Sequence, residues 1–107
     1  MPTERHPAEL TGAQRRGLRA LAHDLDPVLI IGKDGIDDDV LSALHATLAR
    51  HELVKVRVLE SAPVDRHAAA TSLAAGTMAH EVGTIGRIVI LYRRHPTDPK
   101  VPLRSRS

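Results

Sequence analysis

Four consecutive residues, Gly32-Lys33-Asp34-Gly35, have the types and spacing that let a backbone turn hold an anion. Glycines three apart allow a tight bend and leave no Cβ in the way of a ligand. An amphipathic helical pattern begins just downstream, and the first amides of a helix have no intrahelical partner. Lys33 adds one positive charge. Against it stand Asp34, Asp37, Asp38 and Asp39, so residues 32–39 carry a net −3. The chemistry on offer is contact with phosphate, opposed by neighbouring carboxylates unless these turn away or a divalent cation screens them.

Other chemistries find less support. No GxxxxGK[ST] pattern occurs, which excludes a Walker phosphate loop. The chain has no cysteine, so disulfides, thiolate zinc sites and thiol nucleophiles are excluded. Seven histidines are present, but His45 and His51, six apart on one helical pattern, lie roughly 120° apart around the axis and cannot share a ligand face. His67 and His80 are further apart still, and all read as scattered surface groups. The aspartates after Gly35 fail the EF-hand spacing and lack its terminal glutamate. Neither paired carboxylates nor a nucleophile elbow is evident. No catalysis, cofactor or metal is expected. Gly83-Thr84-Ile85-Gly86 repeats the GxxG form, but it follows a helix and precedes a strand, and reads as helix cap plus turn. The Gly32 loop has the opposite context, strand to helix, which is that of the loop clamping the nucleotide backbone in KH domains.

The elements that position this loop follow from periodicity. Thr11-Gly12-Ala13-Gln14 has the form of a capping box, opening a helix expected to run to about Leu25 with Leu18, Leu21, Ala22 and Leu25 as its apolar stripe. Arg15, Arg16, Arg19 and His23 fall along one flank of that stripe, either contacting a polyanion or covering the core with their stems. Val28 to Ile31 is apolar without alternation, as in a central strand covered on both faces. A second helix is expected from about Asp37 to His51, with Val40, Leu41, Leu44 and Leu48 inward. Leu53 to Leu59 alternates, with Val54, Val56 and Val58 on one face and Lys55 and Arg57 on the other. A third helix is expected from about Asp65 to Val82, ended by Gly83, before a buried strand Ile88 to Tyr92. The order predicts parallel pairing with right-handed crossovers.

Length and charge bound the rest. One domain of 107 residues buries a core unaided. Tyr92 is the only aromatic residue, so the base-stacking platforms of RRM and OB modules cannot be built. Residues 93–107 hold Arg93, Arg94, Lys100, Arg104 and Arg106 against Asp98, a net +4, which leaves residues 1–92 at −2. A nucleic-acid surface would be a local patch plus this tail. The tail, HPTDPKVPLRSRS, is too polar to fold alone and is expected to be disordered from residue 95, as residues 1–9 are expected to be flexible. No signal-peptide core or membrane span is visible, and a cytoplasmic monomer is expected.

The succession LTGAQRRGLRALAHDLDPVLIIGKDGI, a helix ending RHELVKVRV, and IGRIVILYRR resembles the YhbY family, the stand-alone form of the CRM (chloroplast RNA splicing and ribosome maturation) domain. The resemblance spans residues 10–94. It implies an α/β fold of the α+β sandwich kind, an N-terminal helix followed by a βαβαβ(β) mixed sheet, similar to the C-terminal domain of translation initiation factor three. It also implies an RNA-binding protein that associates with precursors of the large ribosomal subunit and assists their assembly. The family's loop transfers to Gly32, Lys33, Asp34 and Gly35, and its basic leading helix to Arg15, Arg16 and Arg19; Arg93 and Arg94 would add non-specific affinity. The chain departs from the family in having few residues between Gly83 and Gly86-Arg87, which predicts a shortened or missing penultimate strand. The alternative is an adaptor reaching the ribosome through a ribosomal protein or a GTPase, favoured by the acidic loop.

Overall fold

The computed structural model describes residues 9–103. Seven elements follow in order: α1 (Gly12–Ala22), β1 (Pro27–Ile31), α2 (Asp38–His51), β2 (Leu53–Val58), α3 (Arg66–Thr77), β3 (His80–Ile85) and β4 (Ile88–Tyr92). The four strands form one mixed sheet in the order β1-β2-β4-β3. β1 is parallel to β2, while β4 runs antiparallel to both β2 and β3. The α/β class, the leading helix and the mixed sheet expected from the sequence are those observed.

Each helix starts on a side-chain cap. Thr11 and Gln14 form the expected capping box, and Asp37 and Asp65 accept the amides of Val40 and Ala68 at 2.9 and 2.8 Å. The alternation of β2 then divides the core in two. Val54, Val56 and Val58 join Ile31, Val89 and Leu91 under Leu44, Leu48, Ala69, Ala70 and Leu73 of α2 and α3. On the other face Leu53, Val82, Ile90 and Tyr92 pack against Leu18 and Ala22 of α1. Because α1 is short, it covers only part of that face.

Four expectations are corrected. The first helix ends at Ala22 rather than Leu25, since Lys55 Nζ donates to the carbonyls of His23 and Leu25 and fixes them as a turn; Leu21 and Leu25 stay largely exposed. β1 is an edge strand rather than a central one: Leu29 and Ile31 face the core, but Val28 and Ile30 are open to solvent on the side α1 does not reach. The third helix stops at Thr77, five residues before Val82, because Met78 takes the left-handed conformation (φ 59°) and Ala79 N–H reaches back to Ala74 O at 2.9 Å, the Schellman pattern. The released residues supply the penultimate strand, so β3 is present, and Gly83 lies within it rather than capping a helix. The turn half of the second GxxG reading holds: Gly86 (φ 58°) opens the two-residue hairpin turn between β3 and β4.

The fourth correction concerns the tail, which is docked as far as Leu103 and not disordered from residue 95. Glu52, directly after α2, is buried with φ 66°. Its carboxylate accepts the backbone N–H groups of His95, Lys100 and Val101, each at 2.7 Å. Val101 and Leu103 then pack on the α1 side of the core. Residues 1–8 and 104–107, which include Arg104 and Arg106, lie outside the described residues.

Candidate functional site

The Gly32–Gly35 loop is a hydrogen-bonded turn, with Gly35 N–H donating to Gly32 O at 3.0 Å. It leaves β1 at the sheet end where β2 also finishes and the β3–β4 hairpin turns. Gly35 is required twice over. Its φ is +71°, and a Cβ there would meet Pro63 Cγ at 3.0 Å. The loop thus rests on the segment after β2, which is itself fixed by Leu59 N–H to Ile31 O (2.9 Å) and Ala62 N–H to Leu59 O (3.0 Å). Lys33 and Asp34 stand exposed at the tip, and neither side chain has a hydrogen bond or ion pair among the described residues.

The beginning of α2 is less open to an anion than the sequence suggests. Asp37 already accepts Val40 N–H, and Asp38 and Asp39 occupy the first turn. The end of the sheet thus offers an anion the turn tip and its lysine rather than a bare helix terminus.

The cationic residues singled out in the sequence do not share one surface. Arg15 donates to Glu81 O, and Arg19 to Val82 O at 3.4 Å. Both arginines lie half-buried across β3, the opposite edge of the sheet from β1, about 14 Å away at three strand spacings. Gly83 permits this, since a Cβ there would sit 3.3 Å from Arg19 Cδ. Arg16 is exposed. Arg93 is turned inward, bridging α2 and α3 through bonds to His45 O (3.0 Å), His45 Nδ1 (2.9 Å) and Thr77 O (2.8 Å), and burial lowers its pKa. Arg94 is exposed, but it and Arg93 sit at the other end of β4, about 17–20 Å from the turn. The bound Lys55 likewise belongs to the scaffold.

Other cations stand at the turn's end of the sheet, and of these sequence reading weighs only Arg57, as either RNA-facing or part of a plain exposed sheet face. Arg57, on β2, is exposed on the open face beside Ile30 and Ile88. Arg66 and His67 open α3, and Arg87 occupies the hairpin turn. Together with Leu59 and Pro63, the residues beside the turn glycines, these last three border a cleft of about 450 Å³. Arg66 had no basic run to mark it; Arg87 carried a signal as the basic residue of the Gly86-Arg87 element, and Arg57 through the alternation of β2.

Comparison with known proteins agrees with this architecture. Residues 10–93 match the model of the CRS1 / YhbY (CRM) domain. The chain is 35% identical over 94 residues to the "Probable RNA-binding protein YqeI" of Bacillus subtilis (strain 168), covering 88% of this chain and 98% of that protein. It is 36% identical over 84 residues to an "RNA-binding protein" of Haemophilus influenzae, covering 78% and 85%. The solution structure of the hypothetical protein SAV1595 from Staphylococcus aureus superposes with a TM-score of 0.76 at 37% identity, over 89% of this chain and 99% of that one. With the domain model matched over residues 10–93 and relatives 35–37% identical over most of its length, the chain belongs to the CRS1 / YhbY (CRM) domain family.

Proposed function

We propose that this protein binds RNA through the sugar-phosphate backbone at the Gly32–Gly35 turn, and that its RNA is that of large ribosomal subunit precursors, whose assembly it assists in the cytoplasm. The observation that carries the reading is the turn itself: a rigid elbow seated on Pro63, with Lys33 unpaired at its tip. The RNA-binding names of relatives that align over most of the chain support it. With Tyr92, the chain's single Phe, Tyr or Trp, buried in the core, the large aromatic platforms that stack bases are missing. Recognition rests on phosphates and shape, so binding is strongly salt-dependent and nearly indifferent to sequence.

The test is a gel-shift series with large-subunit ribosomal RNA fragments at rising salt. A steep loss of affinity is expected, and a flat response overturns the reading. The double variant Lys33→Glu/Asp34→Glu places two acids at an exposed tip. It should weaken binding and flatten the slope of log K against log[salt] by about 0.7 to 0.9, one phosphate contact, without unfolding the domain. Unaltered affinity removes the turn from the mechanism.

The exposed acidic run Asp37–Asp39 favours a second reading, an adaptor that reaches the ribosome through a basic ribosomal protein or a GTPase. Ribonuclease separates the two: co-purification with ribosomal particles that survives RNA digestion supports the adaptor.

A further inference from the structure

We infer that the cleft beside the Gly32 turn, walled by the segment after β2, the start of α3 and the β3–β4 hairpin, is a second phosphate seat in which Arg66 and Arg87 take one backbone phosphate in exchange for Glu60. The bound strand therefore runs across the end of the sheet, from β1 towards the hairpin, and not over the arginines of α1.

The inference rests on the RNA-binding reading and specifies where the second contact is made. Three observations carry it. The cleft and the turn share one wall, since Leu59 and Pro63 both line the cleft and stand 3.7 and 3.0 Å from where a Cβ on Gly32 and on Gly35 would lie. The cleft is also held open by main-chain bonds: Val58 N–H donates to Arg87 O at 2.8 Å, which fixes the hairpin tip over the end of β2.

Finally, an anion already sits there. Glu60 Oε2 lies 3.5 Å from the Arg87 guanidinium, with both side chains well exposed. A pair so placed is weak and readily exchanged. A phosphodiester offers the guanidinium two acceptor oxygens in the fork geometry it prefers. Arg66 is exposed on the same rim, with the through-space attraction of its neighbour Asp65 but no hydrogen bond or ion pair among the described residues. Asp65, the other acid of the cleft, is turned to the amide of Ala68, a bond that, with the amide of His67 and the charges of His67 and Arg66, holds its pKa below the usual aspartate range. By contrast, Arg15 and Arg19 are already committed to carbonyls of β3.

The experiment measures the affinity of the full chain for a labelled large-subunit ribosomal RNA fragment as a function of salt. The variants are Arg66→Gln, Arg87→Gln, Glu60→Gln and the double Glu60→Gln/Arg87→Gln. Arg50→Gln, in the last turn of α2 and so about 20 Å from the turn, is the control for net charge. Arg66→Gln and Arg87→Gln should each flatten the salt slope, by no more than the roughly 0.7 to 0.9 of the one phosphate they share, whereas Arg50→Gln leaves it unchanged. Glu60→Gln should tighten binding several-fold, and the gain should vanish in the double variant, because a merely global charge effect would persist there. Wild-type slopes in both arginine variants, or no gain in Glu60→Gln, overturn the cleft while leaving RNA binding intact. A wild-type protein whose binding ignores salt overturns the RNA reading itself. Circular dichroism confirms that each variant is folded.

Discussion

Glu52 shows how much one side chain can hold together. Burial works against its ionisation, but the N–H groups of His95, Lys100 and Val101, aided by the nearby charge of His95, outweigh burial and lower its pKa. A depressed folded-state pKa contributes stability above the unfolded value, and that contribution is lost as pH falls through the folded one. Acidification below the ordinary glutamate range should therefore loosen the C-terminal segment. Glu52→Gln, which turns an amide donor towards a backbone donor, should cost about 1–3 kcal/mol at neutral pH. The gap between variant and wild type should close in acid, as read from denaturant midpoints across pH; a constant gap would exclude the carboxylate as anchor. None of this was legible in the sequence, where Glu52 is simply an acid after a helix. The same holds for Arg15, Arg19, Lys55 and Arg93. Their positive charge is visible in the sequence, but their partners are carbonyls from 16 to 66 positions away. Bonds over such separations leave no local pattern. The Gly32–Gly35 turn, by contrast, was legible because its geometry is local.

At the scale of elements, side-chain caps and alternation were read well and α2 ends at His51 as expected, but the ends of α1 and α3 were misplaced. The start of α1 was marked by its capping box, and the inward set of β2 by its period of two. The end of α3 was misplaced because a glycine cap was sought and Gly83 answered, whereas Met78 takes the left-handed position itself. A non-glycine residue there costs about 1–2 kcal/mol, and Met78 is 40% exposed, so little packing offsets the strain. Met78→Gly should raise stability by about 0.5–1 kcal/mol after the entropy of an added glycine is counted, observable as a higher melting temperature. A lower one would show that the methionine side chain matters more than its backbone. The edge position of β1 was hidden because an unbroken apolar run describes a covered strand and a half-exposed edge equally.

For the whole molecule, the fold separates scaffold from surface by the ends of the sheet. The turn, the cleft and Arg57 occupy one end, while Glu52, Arg93 and the docked tail secure the other. Composition could announce only a local patch and a basic tail. It could not tell that the tail would be a strap, since its apolar content is too small to fold alone but sufficient to cover α1 with Val101 and Leu103. Deleting residues 97–107 removes two of the three donors to Glu52 together with that cover. It should lower stability by about 2–4 kcal/mol and speed hydrogen exchange in α1; unchanged exchange would mean that α1 stands without the strap.

Tyr92 gives this arrangement a built-in reporter. It is the chain's only strong ultraviolet fluorophore, sealed in the core that α1 and the strap close, with its hydroxyl unpartnered and its ring stacked on His80 at 6.1 Å. Changes in its emission will register the opening of that lid from within, so an unlabelled titration with RNA can follow the protein's integrity at the same time.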